Sequence, residues 1–139
     1  QLVDKYLVPN LKQGKIIFLD RFYDSTIAFQ GFGNKMPLET IFYDNSNVLR
    51  GTEPNLTLLY HLPVDTALKR MAVDKNKRLT DFDKENIDFH TRVADGYDYV
   101  AKEYKNRVKI IDATKPIEEV SKETIKIIDE FLETYFKAY

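Results

Sequence analysis

The segment Asp20-Arg21-Phe22-Tyr23-Asp24-Ser25-Thr26-Ile27-Ala28-Phe29-Gln30-Gly31 concentrates the side chains best able to do chemistry. Arg21 carries a planar, permanently charged guanidinium, a fork that matches phosphate oxygens. Its neighbour Asp20 can orient that fork, or take Mg²⁺ through water, since Mg²⁺ usually sits on one or two carboxylates plus phosphate oxygens. Phe29 can cover a sugar or a base, and the Gln30 amide can pair with a base edge. Clamp, platform and amide together describe a site for a nucleoside monophosphate. Each residue also has a plainer role open to it. Arg21 could form a surface ion pair with Asp20 or Asp24, Phe29 could be core, Gln30 could face solvent, and Ser25 could be a helix cap.

These residues need a scaffold. The apolar run Ile16-Ile17-Phe18-Leu19 reads as a buried parallel strand over 16–20. Arg21 would then stand at its carboxyl end, where open α/β sheets bind ligands. Before it, Leu2, Tyr6, Leu7 and Leu11 form a helical stripe over 1–12, kinked or ended near Pro9 and stopped by Gly14. After it, a helix starts near Ser25 and is broken by Gly31 and Gly33. Pro37 opens a helix of about a dozen residues that ends before Gly51. An apolar strand follows over 57–62, and Pro63 opens a helix carrying Leu68 and Met71. Residues 73–82 lack periodicity and read as a polar loop. A long helix from Asp83 to about Asn106 turns Ile87, Val93, Tyr97 and Ala101 inward. A strand at 108–112 and an amphipathic helix from Pro116, with Val120, Ile125, Ile128, Phe131 and Leu132 apolar, complete the chain. Strands alternating with helices predict an α/β fold: one domain, 1–139, with a parallel sheet and helices on both faces.

The pattern Asp-Arg-aromatic-x-x-Ser-x-x-Ala-aromatic-Gln-Gly resembles the substrate segment of thymidylate kinases. The likeness continues through Pro54-Asn55-Leu56-Thr57-Leu58-Leu59-Tyr60, Ala67-Leu68-Lys69-Arg70, Phe89-His90, Arg92-Val93, Gly96-Tyr97, Ile111-Asp112-Ala113 and Pro116-Ile117-Glu118-Glu119-Val120, up to about Phe131. The resemblance implies a nucleoside monophosphate kinase fold of the P-loop type. It also implies transfer of the γ-phosphoryl of ATP to dTMP with Mg²⁺, giving dTDP on the way to dTTP. On this reading Asp20, Arg21 and Arg78 are catalytic, with Asp20 at the metal. Arg21, Ser25, Thr26, Phe29 and Gln30 bind dTMP. Phe29 lies against the deoxyribose and leaves no room for a 2′-hydroxyl, and Gln30 reads the thymine edge. Phe29 lacks the hydroxyl of the Tyr often found there. Arg70 lies beside the adenine of ATP, and Ala113, Thr114, Lys115 and Pro116 line its other side. Residues 73–82, with Lys75, Lys77 and Arg78, fall where bacterial members carry a lid whose Arg steadies the transferring phosphoryl group. Counting back from Phe89-His90, the usual lid arginine falls on Asp81, so Arg78 takes the role only with a small insertion or a shift. His61 stands where the family has Asp, and His90 is assigned no chemistry.

The chain has five glycines, at 14, 31, 33, 51 and 96, and none opens the phosphate-loop motif G-x-x-x-x-G-K-[ST] with which such kinases begin. The expectation is a carboxyl-terminal part, incomplete at its amino terminus, in which the strands at 16–20 and 57–62 flank an absent central strand. Unpaired buried backbone groups cost about 1–3 kcal/mol each, so these 139 residues alone should be unstable. With 21 basic and 22 acidic residues the chain lacks the basic excess of a nucleic-acid binder. It has no cysteine for disulfides or thiolate metal sites, which is compatible with the cytoplasm, and no apolar run of membrane-spanning length. The resemblance also implies a homodimer, for which the apolar helices at 1–12 and 37–49 offer interface surface. Two rivals stand: a deoxynucleoside kinase acting on a 5′-hydroxyl, and a non-catalytic nucleotide-binding module.

Overall fold

Three prolines open three helices in the computed structural model, which describes residues 1–73 and 81–137. Helix α3 (Leu38–Leu49) follows Pro37, α4 (Val64–Val73) follows Pro63, and α6 (Ile117–Lys137) follows Pro116. A ring-fixed φ and a missing N–H suit proline to a helix start, where the first amides lack intrahelical partners anyway. Helix α3 stops at Arg50, in the left-handed region at φ 49°, and Gly51 follows at φ 79°.

Near the amino terminus a π-helical stretch, Val3–Leu7, runs into α1 (Val8–Lys12). Pro9, near the start of α1, has no N–H to donate to the preceding turn. Helix α2 (Tyr23–Thr26) continues into a second π-helical stretch, Ile27–Gly33. Gly31 therefore does not break this helix, which ends at Gly33. Both glycines permit close approach. A Cβ on Gly31 would lie 2.6 Å from Leu38 Cδ2, and one on Gly33 would lie 2.7 Å from Phe89 Cε2. The long helix α5 (Asp81–Glu103) packs along this face through Gly96, where a Cβ would sit 2.7 Å from Ala28 Cα. Val93, Gly96 and Val100 are buried on α5, with Ile87, Tyr97 and Ala101 half-buried beside them.

The sheet pairs β1 (Thr57–His61) with β2 (Val108–Asp112) in parallel, Leu59 opposite Ile110. Successive residues of a strand face opposite sides. Leu59 accordingly packs into a core of Ile27, Ile41, Val100 and Val108, while the Tyr60 hydroxyl meets Thr124 of α6 at 3.0 Å. Helices thus cover both faces of a parallel sheet, as the alternation of elements predicts.

The segment 16–20 departs from expectation. It belongs to no sheet, and Ile16, Phe18 and Leu19 are 53%, 74% and 40% exposed. A strand exists only when a neighbour accepts its hydrogen bonds. Among the described residues the sheet has two strands, β1 and β2, and neither reaches this run. Helix α5 also starts two residues earlier than the Asp83 predicted from periodicity, and it ends at Glu103 instead of Asn106.

Candidate functional site

Helix α2 and the π-helical stretch after it set out one line of functional side chains. Arg21, Ser25, Thr26, Phe29 and Gln30 line a single open cleft of about 240 Å³. The Arg21 guanidinium carbon lies 4.5 Å from the centre of the Phe29 ring. Stacking of this kind uses the flat face of a guanidinium and leaves its N–H edge to meet an anion. Arg21 holds φ 66°, a left-handed backbone that costs a side-chain-bearing residue about 1–2 kcal/mol and persists only where its surroundings fix it.

Helix α5 buttresses the Phe29 platform. The Phe29 ring tilts against Phe89 at 6.1 Å and meets Tyr97 edge-on at 6.3 Å, so the platform itself is wedged in place. The Tyr97 hydroxyl lies 3.0 Å from Ser25 Oγ. Ser25 is therefore no helix cap: the cap position is Phe22, without a side-chain cap bond, and Ser25 lies inside the first turn. Arg92 donates from Nε to the Gly33 carbonyl at 3.0 Å, closing the end of the π-helical stretch.

Behind the cleft lies a polar cluster with no local signature in the sequence. Arg107, in the turn before β2, donates from both terminal nitrogens to the two carboxylate oxygens of Asp24 at 2.7 Å each. It also donates to Thr57 Oγ1 and to the Tyr23 hydroxyl, both at 2.7 Å, and Thr57 donates to Asp24 at 3.1 Å. The Arg107 and Asp24 side chains are only 14% and 9% exposed. The guanidinium lies 4.5 Å from the Tyr104 ring centre and 5.3 Å from that of Tyr23. Asp24 is thus committed to Arg107, which removes it as a surface partner for Arg21. Burial lowers the pKa of Arg107, but its hydrogen bonds and charge pairing with Asp24 outweigh this and raise it. Burial pushes the Tyr23 phenol up to about 12, despite the opposing pull of Arg107.

A second group gathers at the carboxyl ends of the strands. Arg70, at the end of α4, donates to the carbonyls of Ala113 at 3.0 Å and Thr114 at 3.5 Å. Asp112 accepts from the backbone N–H and the hydroxyl of Thr114, and these bonds hold its carboxyl below the usual carboxylate range. Lys115 pairs with Glu123 at 3.7 Å. The structure therefore joins Arg70 to the 113–114 turn, with Lys115 and Pro116 following in the chain. His61 forms a surface pair with Asp98 at 3.5 Å.

Asp20 is exposed beside Arg21 and does not line the cleft. Arg78, Lys75 and Lys77 lie outside the described residues, as does most of the 73–82 loop. Residues not assigned from sequence are Tyr97, Phe89, Asp24 and Arg107. The first two stand at helical spacing on the inward side of α5, a signal that was legible. The last two meet across 83 positions of sequence, which no local pattern reveals.

A thymidylate kinase family model matches residues 1–124. The chain belongs to the thymidylate kinase family. Its fold is that of P-loop nucleoside monophosphate kinases, represented here by a partial parallel sheet. Thymidylate kinases of Oceanobacillus iheyensis and Oenococcus oeni are each 36% identical to it over 131 residues, 94% of this chain, which cover 58% and 61% of those proteins. The thymidylate kinase of Pediococcus pentosaceus is 32% identical over 91% of this chain and 60% of its own length. The chain thus spans about three fifths of the length of these curated relatives. Among the described residues, no helix is long and apolar enough to cross a membrane.

Proposed function

We propose that this chain supplies the acceptor site of a dTMP kinase, transferring the γ-phosphoryl of ATP to dTMP. The observation that carries the reading is the convergence of Arg21, Ser25, Thr26, Phe29 and Gln30 on one cleft, with the guanidinium stacked on the aromatic platform. Arg21 grips the 5′-phosphate and Phe29 lies against the deoxyribose. Gln30 pairs with the thymine edge through its adjoining donor and acceptor, and Ser25 and Thr26 flank sugar and base. Phosphoryl transfer of this kind depends mostly on positioning and electrostatics. Arg70 and the 113–116 turn form the adenine side of the donor site.

The Asp20 carboxylate, exposed beside Arg21, is a donor of the type Mg²⁺ takes along with phosphate oxygens. Mg²⁺ would offset the negative charge of the phosphates. Arg78, with Lys75 and Lys77, supplies positive charge to the transferring group. The protein works in the cytoplasm as a homodimer, and exposed Tyr6, Tyr43 and Val48 on the 1–12 and 37–49 helices provide apolar contact surface.

The test is a product assay on the full-length protein expressed from its natural start codon. With ATP and Mg²⁺, dTMP should yield dTDP while thymidine yields little. Conversion of thymidine to dTMP would make the protein a deoxynucleoside kinase. Binding of dTMP without turnover would leave a non-catalytic module.

A further inference from the structure

Arg107 touches no part of the cleft, yet it engages four groups. Its five-donor fork meets both oxygens of Asp24, the Thr57 hydroxyl and the Tyr23 hydroxyl, and its face lies over Tyr104. The cluster joins α2, β1 and the turn before β2. Buried ion pairs are weak contributors to stability, because desolvation offsets their attraction, and their best-attested use is to specify one arrangement among several. The arrangement at stake here is the first turn of α2. Asp24 stands in that turn, next to Ser25 and three positions after the left-handed Arg21. The Ser25 amide donates to the Phe22 carbonyl at 3.0 Å, so the chain from Arg21 to Asp24 is a tight corner with a single buried anchor at its end.

We propose that Arg107 is a positioning residue for the monophosphate site. Its two-pronged grip on Asp24 fixes the corner that sets the Arg21 guanidinium over Phe29. This rests on the reading of the cleft as a dTMP site and names a residue that acts on it only through Arg21. The grip governs recognition of the phosphate and leaves recognition of the nucleoside to Phe29 and Gln30.

The test compares dTMP with thymidine by titration calorimetry on the full-length protein, because only dTMP engages Arg21. Arg107→Lys keeps the charge but loses the fork. It should weaken dTMP about tenfold, leave thymidine within about twofold, and leave KM for ATP unchanged. In an Arg21→Ala background the same change should add less than about twofold, since residues acting through one contact are not additive. Tyr23→Phe, which keeps the ring and removes one 2.7 Å bond, should show the same selectivity at smaller size and covers the case in which Arg107→Lys does not fold. Equal weakening of dTMP and thymidine, an unchanged ratio, or additivity with Arg21→Ala would overturn the proposal. A wild-type protein that binds neither ligand would overturn the reading of the cleft as well, which separates the two failures.

Discussion

Gly96→Ala sets two local effects against each other. In an exposed helix interior, replacing glycine by alanine gains about 1 kcal/mol from backbone entropy. Gly96 is buried in α5, and a Cβ there would lie 2.7 Å from Ala28 Cα, 3.0 Å from Phe32 Cβ and 3.1 Å from Phe32 Cδ2. Carbon contacts become favourable near 3.5 Å, so the two helices must part by roughly 0.8 Å. The nearest atom is backbone and moves only with its helix. Overpacking of this kind costs about 1–3 kcal/mol, which outweighs the entropy gain at most of that range. We expect net destabilisation of up to about 2 kcal/mol, and at about 4 °C per kcal/mol for a domain of this size the Tm should fall by up to about 8 °C. Affinity for dTMP should fall with it, because Ala28 precedes Phe29 in the platform. Gly31→Ala is the control: its new methyl meets the flexible end of Leu38, so its Tm should fall less. Thermal melts of the full-length protein decide the matter. A Gly96→Ala variant that melts at or above wild type would show that helix propensity dominates and that the α5 contact is not tight.

Other outcomes follow from the same contacts. Tyr97→Phe removes the bond to Ser25 but keeps the ring beside Phe29, and should cost about 1 kcal/mol of stability with a several-fold loss of dTMP affinity; unchanged affinity would show that Ser25 needs no partner. The Tyr23 phenol should ionise late, at about 12, in an absorbance titration, and Tyr23→Phe should remove that step. Because its folded pKa is raised above the ordinary 10, its contribution to stability is complete below pH 10 and is lost as pH rises toward 12; urea midpoints across that window check the sign. The 139 residues produced alone should lack a sharp cooperative melt, given exposed Phe18, Ile110, Ile117 and Phe136; a sharp monomeric transition would contradict this.

Much of the cleft was legible because its residues are local. Ser25, Thr26, Phe29 and Gln30 follow one continuous helical path, and Arg21 stands just before it, so chemistry and spacing both show in a single stretch. The prolines at 37, 63 and 116 announced three helices for an equally local reason. Strand formation over 16–20 depends on a partner elsewhere, and an apolar run cannot report whether one is present. Gly31 sits inside the helix it is expected to break, because a glycine that breaks a helix and a glycine that lets another helix approach look alike until the neighbour is known. Asp24 and Arg107 are the extreme case, since only the tertiary fold brings them together.

The central claim is that Arg21 recognises the phosphate of a nucleoside monophosphate in this cleft. Titration calorimetry of dTMP into the full-length protein and its Arg21→Ala variant tests it most directly. A charge-assisted contact contributes about 1.5–3 kcal/mol, so the variant should bind dTMP roughly 10- to 150-fold more weakly while binding thymidine as wild type does. Equal dTMP affinity in the two proteins would contradict the account.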